Sequence, residues 1–310
     1  MRLSYGRPAM TFAIAGTGAA FTSPTDGSSL INGRPADVQR IQWLSAASPA
    51  TTDFVTITAT FGTRIKAGCC ALLMPNISTA IPEGVKITFS GKLSGGAVVL
   101  GGNTLTTRTQ TLPNGATAIW CVFPAVNIDT LIVKIYNEVD DSSGTWATAS
   151  EYVDLGELWV GKVADFNVAN DAKTEWKDTT LQRRSHNNQA WALQQQPFRQ
   201  ATVQLVPMAE SVAIGPNSAQ DDYETVAYEI STSTCCVMIG TYLSRGAVNG
   251  GSGPNGAPPP VITSSTISIQ RLHRTALLGV VGGDGGQAIE MHRDGDKYFV
   301  SPIVFGESPP

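Results

Sequence analysis

Between residues 53 and 61 the chain alternates strictly. Val55, Ile57, Ala59 and Phe61 are apolar, and Thr56, Thr58 and Thr60 between them are polar. Period two with β-branched polar partners predicts a strand with one buried face. Val85, Ile87 and Phe89 alternate with Lys86 and Thr88 in the same way. Short apolar runs at 71–74, 97–100, 118–123 and 131–136 are bounded by Pro, Asn and Gly. The stretch 152–160 closes the series and ends in Leu155-Gly156-Glu157-Leu158-Trp159-Val160-Gly161. Strands of this spacing, with turn residues between them, predict a β-sandwich or jelly roll over residues 1–161.

The second half, 162–310, is patterned differently. Residues 162–188 are polar and predict an arm or long hairpin. Strands are expected at 190–193 and 198–206, separated by Pro197. Residues 218–231 predict one helix. Tyr223, Val226, Ala227 and Ile230 fall on one face, Ser218 is the expected N-cap, and Asp221 and Asp222 load the first turn. Residues 235–243 read as a strand buried on both faces. The Gly- and Pro-rich span 246–260 is a loop, and loops this long inside a domain are usually functional. Strands resume at 266–270, 277–281, 287–291 and 297–305, with Asp294-Gly295 as a hairpin turn. The expected fold class is therefore all-β: an N-terminal jelly-roll sandwich plus a C-terminal β-rich oligomerisation domain with one helix.

Charge sharpens this picture. Charged residues are 15% of the chain, against the usual quarter. A surface so poor in charge and rich in Thr, Ser, Asn and Gln suggests cover by partners. The net charge is −4, and neither half is basic, so nucleic acid is not an expected partner. No run approaches the ~20 apolar residues of a membrane span. Residues 9–21 are too short and too rich in Thr and Gly to predict a cleaved signal. The five cysteines, Cys69, Cys70, Cys121, Cys235 and Cys236, lie in apolar runs without metal spacing. They are expected to be buried free thiols, as in a reducing cytoplasm.

Candidate chemistry is sparse. His186, His273 and His292 have no neighbours at metal-ligand spacing, and no nucleophile elbow accompanies them. Asp140-Asp141 reads as a hairpin tip rather than half of a glycosidase pair. Gly282-Gly283-Asp284-Gly285-Gly286 joins two strands and opens no helix, so it is a turn rather than a phosphate cradle. No catalytic, cofactor or metal site is expected, and the chain reads as a non-enzyme. Arg183, Arg184 and Arg199 sit among six glutamines within 182–200. They are the candidate polar pins of an oligomer interface, with Trp191 and Phe198 as apolar anchors. Arg199 is expected to be exposed.

The run from Ala71 to Ile77, the strand at 85–89 and the 155–161 motif resemble tail proteins of long-tailed bacteriophages. In that group a galactose-binding-like jelly roll closes on a strand of the form Ile/Leu-Gly-x-Leu-x-x-Gly. The segment following it is similar to 185–191 and Phe198-Arg199 here. The resemblance covers about residues 50–210 and carries no catalytic signature. It implies a distal-tail or baseplate structural protein, present in the virion tail and assembled in the host cytoplasm. It implies a homo-oligomeric ring, three-fold or six-fold, contacting other tail proteins. The alternative is an adhesin whose jelly roll binds host glycans, for which Trp120, Trp146 and Trp159 are the aromatic residues to place.

Overall fold

The computed structural model describes residues 1–16, 19–21, 28–31, 37–43, 54–73, 76–77, 85–98, 105–107, 110–111, 117–139, 152–168, 173–178, 180–184, 190–193, 197–214, 222–232, 236–239, 276–282 and 290–307. In chain order the first strands are β1 (Arg2–Tyr5), β2 (Met10–Gly16), β3 (Ala19–Phe21), β4 (Gln39–Trp43), β5 (Phe54–Leu73), β6 (Asn76–Ile77), β7 (Val85–Leu93), β8 (Gly96–Val98), β9 (Leu105–Thr107), β10 (Gln110–Thr111), β11 (Thr117–Val139), β12 (Tyr152–Leu155) and β13 (Glu157–Val160). Then come β14 (Lys162–Asp165), β15 (Lys173–Lys177), β16 (Leu181–Arg184), β17 (Ala190–Leu193), β18 (Phe198–Val203), β19 (Met208–Ala209), α1 (Glu210–Ala213), α2 (Tyr223–Thr232), β20 (Cys236–Ile239), β21 (Ala276–Val281), β22 (Met291–Asp294), β23 (Lys297–Val300) and β24 (Ile303–Glu307). The fold is all-β, and its first part is a jelly-roll-type sandwich.

The sandwich sets an eight-stranded sheet against a four-stranded one. The large sheet runs β13-β5-β11-β7-β8, with β2, β9 and β10 attached, and the small one runs β3-β4-β12-β6. The expected alternation holds: Val55, Ile57, Ala59 and Phe61 are buried, and they pack with Ile87, Phe89, Leu131 and Val133. The runs read as separate short strands are in fact two long ones. β5 spans 20 residues and β11 spans 23, paired along their length. Register shifts at Val122/Val126 and Ile128/Thr130 let β11 continue through Pro124. Proline is tolerated there because a bulge asks no ladder hydrogen bond of it.

The 155–161 motif is where the chain changes sheets. Leu155 ends β12 in the small sheet, and β13 opens two residues later in the large one. Gly156 makes the step, its N–H donating to Leu73 O at 3.2 Å. Leu158 and Val160 then point into the sandwich core, and Trp159 points out of it.

The second body is a seven-stranded sheet, β14-β1-β20-β21-β24-β18-β15. Its second strand corrects the 1–161 and 162–310 division. β1 lies between β14 and β20, with Tyr5 opposite Lys162 and Leu3 opposite Met238. The opening residues thus belong to the second body, and the sandwich is inserted between two neighbouring strands. Gly161 permits this. A Cβ there would stand 2.6 Å from Tyr5 O, closer than real Cβ atoms come.

A third core joins the bodies. Cys69, Ala71, Leu73, Trp120, Val122 and Trp159 of the sandwich's outer face pack with Val163, Val237, Ile239 and Ala276 of the second sheet. A sandwich cut at 161 would bare this apolar face.

α2 covers the second sheet through Tyr223, Val226 and Ile230, as the periodicity predicted. Its cap is Asp222, whose Oδ1 accepts the Thr225 N–H at 2.8 Å, not Ser218. A carboxylate three residues before a donor satisfies an orphan N–H of the first turn. The half also holds a second helix, the single turn α1. β22 and β23 form the expected hairpin, turning at Gly295, whose φ of 63° suits glycine.

Candidate assembly surface

β15 pairs with β18 in the seven-stranded sheet, with Lys177 opposite Phe198, and β16 pairs with β17 as a separate two-stranded ribbon, with Leu181 opposite Leu193. Among the described residues β16 and β17 pair only with each other. Within 162–188, expected as an arm or long hairpin, β15 lies in the seven-stranded sheet and β16 in the two-stranded ribbon. β14 (Lys162–Asp165) belongs to the sheet as well.

The five candidate interface residues divide between these strands. Arg183 stands opposite Trp191, and Arg184 opposite Ala190, in the ribbon. Phe198 is half-buried at the start of β18. Arg199 is the correction. It is 4% exposed and faces inward. Its Nε donates to both Glu307 oxygens at 3.0 Å, Nη2 donates to Ala276 O at 3.1 Å, and its backbone N–H donates to Glu307 Oε2 at 3.1 Å. An arginine this deep is an internal tie between β18, β21 and β24, and no neighbour can reach it.

Three more arginines hold buried or half-buried carboxylates. Arg2 grips Asp165 through Nε and Nη2 at 2.7 Å each, and its Nη1 donates to Gly68 O and Phe123 O. It thereby ties β1 and β14 to the bulge region of β5 and β11. A Cβ on Gly68 would meet Arg2 Nη1 at 2.6 Å, so the pin needs glycine there. Arg7 pairs with Glu157, and its guanidinium lies 4.8 Å over the Trp159 ring. Arg40 holds Asp154 through two 2.7 Å bonds. These partners are 163, 150 and 114 positions apart, so no local pattern signals them.

Each of these carboxylates is held by a guanidinium. The described residues contain no cluster of His, Cys, Asp or Glu suited to a metal. His292 is exposed and stacks on Phe299 at 5.4 Å. His186, His273, Asp140-Asp141, Trp146, residues 246–260 and 283–286 lie outside the described residues. Cys69, Cys70, Cys121 and Cys236 are buried thiols outside any disulfide, and burial pushes the Cys69 and Cys70 thiols far above their ordinary range. Cys235 is outside the described residues.

The tryptophans follow the same inward logic. Trp120 and Trp159 are 5% and 1% exposed in the seam between the bodies, so neither offers a ring to a sugar. Among the described residues the exposed large hydrophobic side chains are Val38, Trp176, Val206 and Tyr228. Trp176 lies on β15, the open edge of the seven-stranded sheet. Among the described residues no helix is long and apolar enough to cross a membrane.

No family model matches the chain, and no curated protein matches it. Among solved structures, one similar chain is a CBM32-3 module from a family 31 glycoside hydrolase of Clostridium perfringens. It is 13% identical, covers 48% of this chain and 90% of its own, and has a TM-score of 0.32. A pectin-binding carbohydrate-binding module is 11% identical over 51% of this chain and 91% of its own, with a TM-score of 0.32. The family 32 module of C. perfringens NanJ, in complex with galactose, is 14% identical over 50% of this chain and 100% of its own, with a TM-score of 0.31. At this distance the likenesses carry no conclusion about what the chain binds.

Proposed function

We propose that this chain is a structural protein of a bacteriophage tail, a ring-forming component of the tail tip or baseplate that acts through subunit contacts rather than catalysis. The observation that carries the reading is the two-stranded ribbon. A two-stranded ribbon is marginal alone in water and gains stability from a surface to pair with or lie on. The β16–β17 ribbon pairs with nothing else among the described residues, and it holds Arg183, Arg184 and Trp191. A ring needs a heterologous contact, one patch meeting a different one, and an arm reaching to a neighbour supplies it. Arg199 leaves the set of pins, so Arg183 and Arg184 remain as the polar contacts, with Trp191 and Phe198 as the apolar anchors.

A second reading is a carbohydrate-binding protein using the jelly roll. The similar solved structures named above are carbohydrate-binding modules. Against it stands the sealed position of Trp120 and Trp159, which leaves the sandwich without a described aromatic platform.

One set of measurements separates the two. Light scattering on the purified 32.7 kDa chain should give a three- or six-fold mass, and replacing Arg183 and Arg184 by Glu should reduce it to a smaller species. Antibodies should detect the chain in virions. A stable monomer that binds a glycan array tightly and is missing from virions would replace the tail reading with the adhesin one.

A further inference from the structure

The open edge of the second sheet has a sequence that complements itself. β15 reads Lys173-Thr174-Glu175-Trp176-Lys177 and pairs only with β18 among the described residues. We propose that β15 is a self-association edge: two copies of this chain join their seven-stranded sheets by antiparallel β15–β15 pairing centred on Trp176. The proposal does not rest on the tail reading.

Register decides the argument. In antiparallel pairs, directly opposite residues share a face and interact, and like charges opposite each other are destabilising. Centring on Trp176 puts Trp176 against Trp176 of the second copy. It also puts Glu175 against Lys177 twice, once on each side of the two-fold axis. Centring on Glu175 instead sets Glu against Glu and Lys173 against Lys177 twice, so every charged pair repels. Centring on Thr174 keeps two Lys173–Glu175 pairs but sets Trp176 opposite Ala172, which leaves the ring without an aromatic partner. The Trp176 register alone satisfies both charge and ring. Trp176 is 46% exposed within one copy, so it has area left to bury.

Lysines on an edge strand often serve to repel a second strand. Here both are already engaged by one carboxylate. Lys173 Nζ lies 2.5 Å from Glu175 Oε2, and Lys177 Nζ lies 2.6 Å from Glu175 Oε1. One carboxylate serves two ammonium groups, so each copy carries one positive charge in excess of its own acid on this strand. Facing copies share two carboxylates between interleaved lysines, and the Glu175–Lys177 pairs then form across the interface. A five-residue strand edge falls well below the ~1,000 Å² expected of a stable complex, so the contact is weak and concentration-dependent unless repeated in a larger assembly.

The test uses the full chain at high concentration under mild oxidation. Trp176→Cys should give a covalent dimer, because position 176 meets itself on the axis. Lys177→Cys should not, because it meets position 175. Adding Glu175→Lys to Trp176→Cys should cut the dimer yield on the order of tenfold, since it creates like-charge pairs. Adding Lys177→Glu to that variant should restore the yield, because the opposite charges are then merely exchanged. Circular dichroism checks that each variant is folded. The proposal fails if Trp176→Cys gives no dimer. It fails equally if Lys177→Cys links as readily, or if the exchanged pair does not recover the yield in a folded protein.

Discussion

Replacing Arg199 by Ala should destabilise the protein severely, although the change lies in a stretch that reads as exposed and polar. Arg199 and Glu307 are 4% and 9% exposed, in adjacent strands. Removing the guanidinium leaves the Glu307 carboxylate buried with only the Arg199-position backbone N–H as a described donor. It also strips Ala276 O of its 3.1 Å bond. Breaking one partner of a buried pair costs about 3–5 kcal/mol, because the other charge stays buried without compensation. With a urea slope of about 3 kcal/mol per molar, the unfolding midpoint should fall by about 1 M or more. Tryptophan fluorescence in a urea series measures it. The double variant Arg199→Met with Glu307→Gln should recover over half the loss, since neither position then holds a charge and the Gln oxygen still accepts the backbone N–H. The reasoning is refuted if Arg199→Ala costs less than about 1 kcal/mol, the value typical of an exposed arginine. It is also refuted if the double variant is no better than the single one.

Gly161→Ala should lower stability by about 1–3 kcal/mol, because its Cβ would press on Tyr5 O; a thermal melt within error of the parent refutes this. Cys69, Cys70, Cys121 and Cys236 should react with a thiol reagent only as fast as the protein opens, since each is buried and the Cys69 and Cys70 thiolates are strongly disfavoured; peptide mapping after brief labelling checks it. Hydrogen bonds from Lys173 and then Lys177 hold the Glu175 carboxyl at about 2. A carboxyl lowered on folding contributes its ion pairs above the ordinary carboxylate range and loses them as pH falls toward about 2. A carbon-13 titration of Glu175 should show this, and replacing both lysines by Ala should return the midpoint to the ordinary range. Finally, residues 35–161 expressed alone should bind a hydrophobic dye or aggregate, because Trp120, Trp159 and Leu73 would lose their cover; a dye-silent monomer would contradict this.

Periodicity made the sandwich core and α2 legible. Val55, Ile57, Ala59 and Phe61 point where alternation put them, and so do Tyr223, Val226 and Ile230. Strand length was hidden because Pro124 and its neighbours look like a break, whereas a bulge absorbs them inside one ladder. The place of β1 was hidden for a different reason. Four residues carry too little pattern to reveal a partner, and Lys162 and Val237 lie far along the chain. Arg199 was misread because polar neighbours in sequence say nothing of the carboxylate 108 positions away.

The insertion of the sandwich between β1 and β14 also sets an order of events during synthesis. β1 leaves the ribosome before its partners, and β14 and β20 arrive only after the whole sandwich has been made. Closing so long a loop is entropically costly, and contacts distant in sequence slow folding. A finished sandwich shortens that loop, because its two ends emerge beside each other at Tyr5 and Lys162. The second sheet therefore has to wait for the first body, and until then Leu3 and Tyr5 remain without the cover they have in the native sheet.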